Sequence, residues 1–389
     1  LILAVVPIEK RQFFRWGARL ATLGSLLLAI YVFSVFDPPI TDQPGPFPTQ
    51  GTEEFALEDK YGYKFTQREE WIPSLDIHYY VGVDGIGIVM VLMAALVAFA
   101  ATFCAQEIRT REKEFYILLL LMTGGILGAF MSLDVFLMYF LHELALVPTF
   151  IMIGVWGRGQ DKDFAAYKIT LYLSLGALMT LAGVIMLYLQ FGSFSLLSMM
   201  DHGTQFAAIE AGTFSVTEQN VIFALLMFGL GILVGLWPFH TWAPLGYSAA
   251  PTATAMMHAG VIKKFGLFML IKVALPLLPQ GAQTWLPILA LLCLGNILYC
   301  GLVAMRQRDL NLLIGNSSVA HMGFVFLGIA SVTTIGLTGA VMVMVAHGLL
   351  AGLAFSLSGY LYSQARTLDM EKLQGLLASM PFWGTLMIM

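Results

Sequence analysis

Runs of roughly 20 apolar residues, separated by short polar connections, recur along the whole sequence. A bilayer core about 30 Å thick is crossed by about 20 residues of apolar helix. The chain is 58% hydrophobic and 11% charged, whereas a soluble domain carries about 25% charged residues. Spanning strands would alternate apolar and polar residues over about 10 positions, and no segment shows that alternation. The sequence therefore predicts an all-α polytopic membrane protein.

The apolar runs predict ten complete spans and two partial ones. The complete spans are expected at 16–36, 85–105, 115–133, 135–156, 167–190, 221–238, 253–275, 285–304, 311–330 and 335–361. One partial span is the helix tail at 1–6, and the other begins near 381 and is cut off at Met389. We therefore expect both ends of the protein to be missing, and we recognise no signal peptide.

Lysine and arginine divide the connections into two sets. Basic residues occur in the connections 7–15, 106–114, 157–166, 305–310 and 362–380, and are absent near 134 and from 191–220, 276–284 and 331–334. The long connection 37–80 has nine acidic residues against three basic ones. Because cytoplasmic loops carry the excess of Lys and Arg, the first set is predicted to face the cytoplasm. The connection 239–252 is an exception, since it should be cytoplasmic but has no basic residue.

Several polar residues lie near the middle of predicted spans. They are Glu143, Lys264 with its neighbour Lys263, His321, His347 and Asn296. An ionisable group at the bilayer centre costs about 2.5–3.5 kcal/mol on insertion scales, so it indicates function. Five helices would place a polar group at the same depth. Such a row, linked by water, is what lateral proton transfer requires.

Structural explanations compete with this interpretation. A single buried histidine is more often a hydrogen-bonded core residue, and Asn296 could serve only helix–helix contact. Glu143 and Lys264 could form an ion pair that merely holds two helices together. His142 points about 100° away from Glu143 around an ideal helix and is left unassigned.

The stretch 235–266 interrupts the helical pattern. Pro238, Pro244 and Pro251 should break the chain at the inner end of the span 221–238. Irregular backbone at membrane depth survives only where it is buried in protein or lines a watery cavity, and broken helices mark ion sites in transporters. His240, at the break, is predicted either to exchange protons with the cytoplasm or to cap freed carbonyl groups.

No metal or cofactor site is predicted. The segment HELAL begins like the zinc motif HExxH, but Leu146 stands where the second histidine would be. Cys104, Cys293 and Cys300 form no CxxC pair, which argues against a zinc or iron–sulfur site.

Sequence segments between about 84 and 376 resemble the M-type (NuoM/NdhD) antiporter-like subunit of respiratory complex I, NADH:quinone oxidoreductase. The segments that carry the resemblance are YFLHELALVPTFIMIGVWG, WPFHTWAP, APTA, HAGVIKKFG, NSSVAHMGFVFLG and AHGLLAGLAFSLSGYLY. They fit the M member better than its L and N paralogues, and the Mrp cation/proton antiporters are less similar.

The resemblance implies a fold of 14 transmembrane helices with two inverted five-helix repeats, each containing a broken helix. On this pattern, residues 1–113 are N-terminal helices with the acidic extracytoplasmic loop 37–80. Residues 114–275 form the first repeat, broken near 233–247, and 276–389 form a truncated second repeat. The essential glutamate of the family falls on Glu143, its central lysine on Lys264, and its central-axis histidines on His321 and His347.

One departure from the family concerns the broken helix. The family usually has a lysine there that pairs with the glutamate, and that lysine aligns with Leu233. The hypothesis that follows is that Lys263, beside Lys264, takes part of the missing role. The rival hypothesis is that Leu233 makes the first half-channel inactive.

These residues predict a proton-translocating, multi-pass subunit of a NADH:quinone oxidoreductase in the inner membrane of a bacterium. The resemblance implies L-type and N-type subunits as neighbours, besides lipids, and no nucleic acid. It also implies that NADH, FMN, iron–sulfur clusters and quinone bind to other subunits, so that no redox chemistry occurs on this chain. The alternatives are a subunit of a cation/proton antiporter or membrane-bound hydrogenase, a non-pumping structural spacer and a free-standing carrier.

Overall fold

Long apolar helices make up most of the structure, a computed structural model that describes residues 11–37, 57–201 and 214–388. Within these residues, nine helices are long and apolar enough to cross a bilayer. They match nine of the ten predicted complete spans, so the all-α polytopic class is confirmed. The predicted partial span at 1–6 lies outside the described residues, and a helix does begin at Pro381.

The elements are named here in chain order. The N-terminal part contains α1 (Arg11–Val35), α2 (Leu57–Lys60), β1 (Lys64–Ile72), β2 (Ile77–Val83), α3 (Gly85–Cys104) and α4 (Glu112–Met131). The middle contains α5 (Val135–Trp156), α6 (Lys162–Phe191), α7 (Leu196–Asp201), α8 (Val216–Val234) and α9 (Trp242–Ala249). The last part contains α13 (Pro279–Leu294), α14 (Gly301–Met305), α15 (Leu310–Ala330), α16 (Thr334–Ala365), α17 (Leu376–Ser379) and α18 (Pro381–Ile388).

The tenth predicted span, 253–275, is a helix assembled from short pieces, called here the lysine helix (252–277). Its α-helical pieces are α10 (Thr252–Met257), α11 (Lys264–Met269) and α12 (Leu275–Leu277), with π-helical segments at His258–Ile262 and Leu270–Ala274 between them. Every residue from 252 to 270 is buried. The lysine helix therefore runs through the protein interior, and its π-helical turns are of the kind often found at functional sites.

The helix α8 stops at Val234, where Gly235 takes a left-handed conformation with φ +93°. The chain then crosses to the short helix α9. Asn296, in the π-helical segment Gly295–Cys300, forms hydrogen bonds with backbone groups that lose their helical partners at this break. Its Oδ1 accepts from the N–H of Trp237 at 2.7 Å, and its Nδ2 donates to the carbonyl of Gly235 at 2.8 Å. Because no water is available in a bilayer core, such internal partners are what make the break possible.

The connections meet at two opposite ends of the helices. At one end, Nε1 of Trp156 donates to the carbonyl of Thr110, and the backbone of Arg308 and Asp309 pairs with that of Met370 and Asp369. These contacts join the basic connections. At the other end, β2 of the hairpin β1–β2 in the acidic connection 37–80 bridges to Ser132, and Asp134 bridges to Ser195. The connections around 134 and 195 contain no Lys or Arg. The sequence did not predict this hairpin, because its strands lie in the polar loop rather than in a span.

The exceptional connection 239–252 lies at the basic end and receives its positive charge from a neighbour. The backbone N–H of Arg158 donates to the carbonyl of Ala249 at 2.7 Å, and its guanidinium binds both Glu107 and Thr252. Glu107 in turn accepts from the N–H of Thr252 at 2.7 Å, at the start of the lysine helix. Arg158 of the connection 157–166 thus provides a positive charge at the connection 239–252, which has no basic residue of its own.

Replacement of Asn296 by leucine should destabilise the protein by about 1–3 kcal/mol for each buried backbone group that is left unpaired. Thermal unfolding in detergent, followed by circular dichroism, would show a lower midpoint. Asn316→Leu is the control, because Asn316 is also buried but its amide only adds a bond to the Leu312 carbonyl of its own helix. Equal midpoints for the two variants would contradict the role given to Asn296.

Candidate functional site

Lys264 is fully buried on the lysine helix, and its ammonium group faces a histidine. Its Nζ lies 2.8 Å from Nδ1 of His347 on α16 and 2.5 Å from the carbonyl oxygen of Ala259. Among the described residues no carboxylate forms an ion pair with Lys264. The structural alternative, a Glu143–Lys264 ion pair that holds two helices together, is therefore not found among the described residues. A buried ammonium without a counter-charge is costly, which favours a group that can also exist as a neutral amine.

The row of polar groups continues from His347 to His321. The two rings are 5.6 Å apart between centroids and are inclined by 52°. Nδ1 of His321 lies 2.8 Å from the carbonyl oxygen of Ser317, one turn earlier on α15. Three of the predicted residues, Lys264, His347 and His321, are thus brought together from three helices.

Lys263 points to a different partner. Its Nζ donates to Oγ of Ser318 on α15 at 2.6 Å, and it lies 5.5 Å from the ring centroid of Tyr247. Among the described residues no ion pair joins Lys263 to Glu143. The hypothesis that Lys263 replaces the missing partner of Glu143 has no support in these contacts, and Lys263 instead ties the lysine helix to α15.

Glu143 lies on α5 with its neighbour His142 as its contact. Oε1 of Glu143 is 3.3 Å from Nδ1 of His142, but the two atoms are not aligned for a hydrogen bond and both are buried without a partner. The Glu143 side chain is 24% exposed, and that of His142 is 1% exposed. Pro148 lies within the same helix, five residues further on.

His240 is buried in the turn between α8 and α9. Its ring packs edge-on against Tyr299, with centroids 5.8 Å apart. Within the described residues, no hydrogen bond or ring contact joins His240 to the lysines or to the two axis histidines. Its predicted role at the cytoplasmic end stays a prediction.

The sequence-based site omits several residues that the structure places within it. His258 is 1% exposed, and its ring stacks on Trp242 with centroids 5.4 Å apart. Ser318 and His142 are the other two residues that the sequence-based site omits. Asn296, which the sequence predicted only as a possible helix–helix contact, hydrogen-bonds to the backbone at the break. The available signal for His258 was the one used for the other residues, an ionisable side chain within a predicted span, here 253–275.

A separate ion pair lies at the hairpin end of the lysine helix. Nζ of Lys272 is 2.6 Å from Oδ2 of Asp84, and it also lies 4.5 Å from the ring centroid of Tyr63. Burial by itself raises the pKa of the Asp84 carboxyl, but the Lys272 charge and the N–H groups of the helix that Asp84 caps outweigh it. The net effect is a pKa below the usual range. The pair thus anchors the lysine helix to the start of α3.

Replacement of Asp84 by asparagine should lower stability at pH 7 by about 1.5–3 kcal/mol, as for a hydrogen bond to a charged group. Because the pKa of Asp84 is lowered by folding, its contribution is complete above about pH 4 and is lost as the pH falls through the folded-state value. Thermal midpoints of both chains from pH 7 down to 3 should therefore converge in acid.

Asp201→Asn is the control for this measurement. Asp201 also pairs with a lysine, Lys60 at 2.5 Å, but at an exposed position. An exposed pair contributes about 0–1 kcal/mol. A constant difference between wild type and Asp84→Asn across the pH range would contradict the electrostatic account.

Comparison with known proteins agrees with this architecture. Residues 132–389 match the family described as NADH:quinone oxidoreductase/Mrp antiporter, transmembrane. The chain belongs to this family. It is 31% identical over 373 residues to NADH-quinone oxidoreductase subunit M of Rhodobacter capsulatus, covering 95% of this chain and 68% of that one. It is also 31% identical over 374 residues to NAD(P)H-quinone oxidoreductase chain 4 1 of Synechococcus sp. (strain JA-2-3B'a(2-13)), covering 96% and 66%. The resemblance to the M-type subunit is thereby confirmed.

Solved structures extend the comparison to the fold. A chain of respiratory complex I from Thermus thermophilus with bound NADH superimposes with a TM-score of 0.81 at 25% identity, covering 99% of this chain and 76% of that one. The Mrp complex from Dietzia sp. DQ12-45-1b has a chain of the same fold, with a TM-score of 0.76 at 18% identity, covering 94% of this chain and 37% of that one. The present chain spans about two thirds of the length of the two curated relatives.

Proposed function

We propose that this chain is a proton-translocating membrane subunit of a bacterial NADH:quinone oxidoreductase. The observation that carries the proposal is the contact between Lys264 and His347, continued to His321, in the buried centre of a membrane protein. None of these three groups is held by a carboxylate among the described residues. Groups that can each gain and lose a proton, in contact across three helices, are suited to passing protons sideways through the protein.

Each residue is given a role by its position. Glu143 holds the proton at the first half of the chain, and Lys264 is the connecting site between the halves. His347 and His321 continue the path toward the second half. His240 would exchange protons with the cytoplasm, and Lys263 holds α15 in register with the lysine helix through Ser318.

The redox reaction belongs to other subunits in this proposal. NADH, FMN, iron–sulfur clusters and quinone would bind there, and L-type and N-type subunits would lie on either side in the inner membrane. The same fold occurs in a chain of an Mrp complex, so a cation/proton antiporter subunit is the second candidate.

A structural spacer is a further candidate, because one specific observation favours it. Leu233 is buried and apolar at the position where the family has its lysine. A chain that cannot pair its glutamate with that lysine could occupy the place of a pump without pumping. The Lys264–His347 contact argues against this candidate, since a spacer needs no buried lysine whose partner is a histidine instead of a carboxylate.

Replacement of Glu143 by glutamine tests the proposal directly. Glutamine keeps the size of the side chain but cannot carry a proton. In the assembled complex, checked on a native gel, proton pumping and the coupled quinone reduction should both fall by at least about tenfold. Inverted vesicles with a pH-sensitive dye give pumping, and NADH oxidation gives turnover.

Glu114→Gln is the matched control. Glu114 is an exposed carboxylate on α4 that pairs with Arg111, so its loss should leave both rates unchanged. If Glu143→Gln pumps as well as Glu114→Gln, the spacer interpretation replaces the proton-translocation proposal.

A further inference from the structure

Two buried polar atoms that lack hydrogen bonds face each other on α5. They are Nδ1 of His142 and Oε1 of Glu143, and they are 3.3 Å apart. A buried polar group without a hydrogen bond costs about 1–3 kcal/mol. A small rotation of either side chain would pair them, and hydrogen bonds between proton-exchanging groups are often long at rest. The arrangement of His142 and Glu143 therefore indicates a contact for proton exchange rather than packing alone.

The ring of His142 is fixed by the lysine helix. It stacks on Phe265, the residue after Lys264, with centroids 4.1 Å apart and planes inclined by 12°. His142 thus lies between the carboxylate of Glu143 and the lysine helix.

No lysine competes for this position. Lys263 is bound to Ser318, Lys264 faces His347, and position 233 is a leucine. Among the described residues, His142 is therefore the one basic side chain within ion-pair distance of Glu143. A carboxylate in this setting needs a partner that can carry positive charge, and imidazole is able to do so at physiological pH.

His258 lies on the lysine helix one π-helical turn before Lys263, whose backbone N–H donates to the His258 carbonyl at 3.2 Å. Helix α5, which carries His142, packs against this π-helical segment, and Nδ1 of His258 is also buried without a hydrogen bond. Trp242 stacks on one side of its ring and Tyr247 meets it edge-on. These aromatic contacts hold the ring in place, and Nζ of Lys263 lies 5.5 Å from the centroid of the same Tyr247 ring.

We propose that His142 is the charge partner of Glu143 in this chain and passes its proton through His258 toward Lys264. The inference rests on the proposed function. A proton leaves the Glu143 carboxyl for Nδ1 of His142, which leaves a carboxylate beside an imidazolium. The imidazolium releases a proton from its other nitrogen toward His258 and becomes neutral again. His258 accepts that proton and gives one up toward the lysines, so no charge is created or lost.

The test uses His142→Gln and His258→Gln in the assembled complex. Glutamine can hydrogen-bond but cannot carry a proton, so both variants should lose at least about tenfold in proton pumping. His142→Lys restores a cation that can exchange protons and should keep most of the pumping. His78→Gln is the control, because His78 lies on the hairpin, where its ring contacts Arg68 and the carbonyl of Asp76.

The outcomes separate this inference from the proposed function. Normal pumping by His142→Gln or His258→Gln overturns the inference, and the proposed function stands if Glu143→Gln is inactive in the same assay. Normal pumping by Glu143→Gln overturns the proposed function itself. If the lysine variant fails to assemble, the two glutamine variants decide the question alone.

Discussion

The hydrogen bonds of Asn296 make the rest of this architecture possible. A helix that ends inside a bilayer leaves carbonyl and N–H groups that neither lipid nor water can satisfy. One buried amide accepts from Trp237 and donates to Gly235, and Nε1 of Trp242 donates to the carbonyl of Ile232 at 3.0 Å. Because these hydrogen bonds satisfy the backbone groups at the break, the chain can turn into α9. The lysine helix then begins where it can cross the protein interior.

Among the described residues, no acidic side chain pairs with the two lysines in the interior of the lysine helix. Lys263 is bound to a serine and Lys264 to a histidine, while the ion pair of Lys272 with Asp84 lies at the hairpin end of the helix. The lysine helix is thus fixed by an ion pair at its hairpin end, whereas its centre is held by hydrogen bonds to neutral partners. Such a division suits a protein that must hold its helices fixed while protons move between them.

Much of the fold followed from the sequence, because bilayer thickness and the positions of Lys and Arg are strong constraints. That Lys264, His321 and His347 lie within helices of the bundle could be predicted for the same reason. Their contacts could not, since side-chain direction depends on π-helical turns that no periodicity reveals. The His142–Glu143 contact was missed because an ideal helix separates neighbours by about 100°, whereas their side chains meet through rotation. The hairpin was missed because it lies in a polar loop, outside the pattern that spans impose.

The central claim is that Lys264 exchanges a proton rather than providing a fixed charge. Lys264→Arg tests it most directly, because arginine keeps the positive charge but is not deprotonated in proteins. Proton pumping and NADH oxidation would be measured side by side in vesicles that contain the assembled complex, with Lys264→Met as the uncharged comparison. The account predicts that both variants lose pumping. Pumping by the arginine variant at the wild-type rate would show that a fixed charge is sufficient and would contradict it.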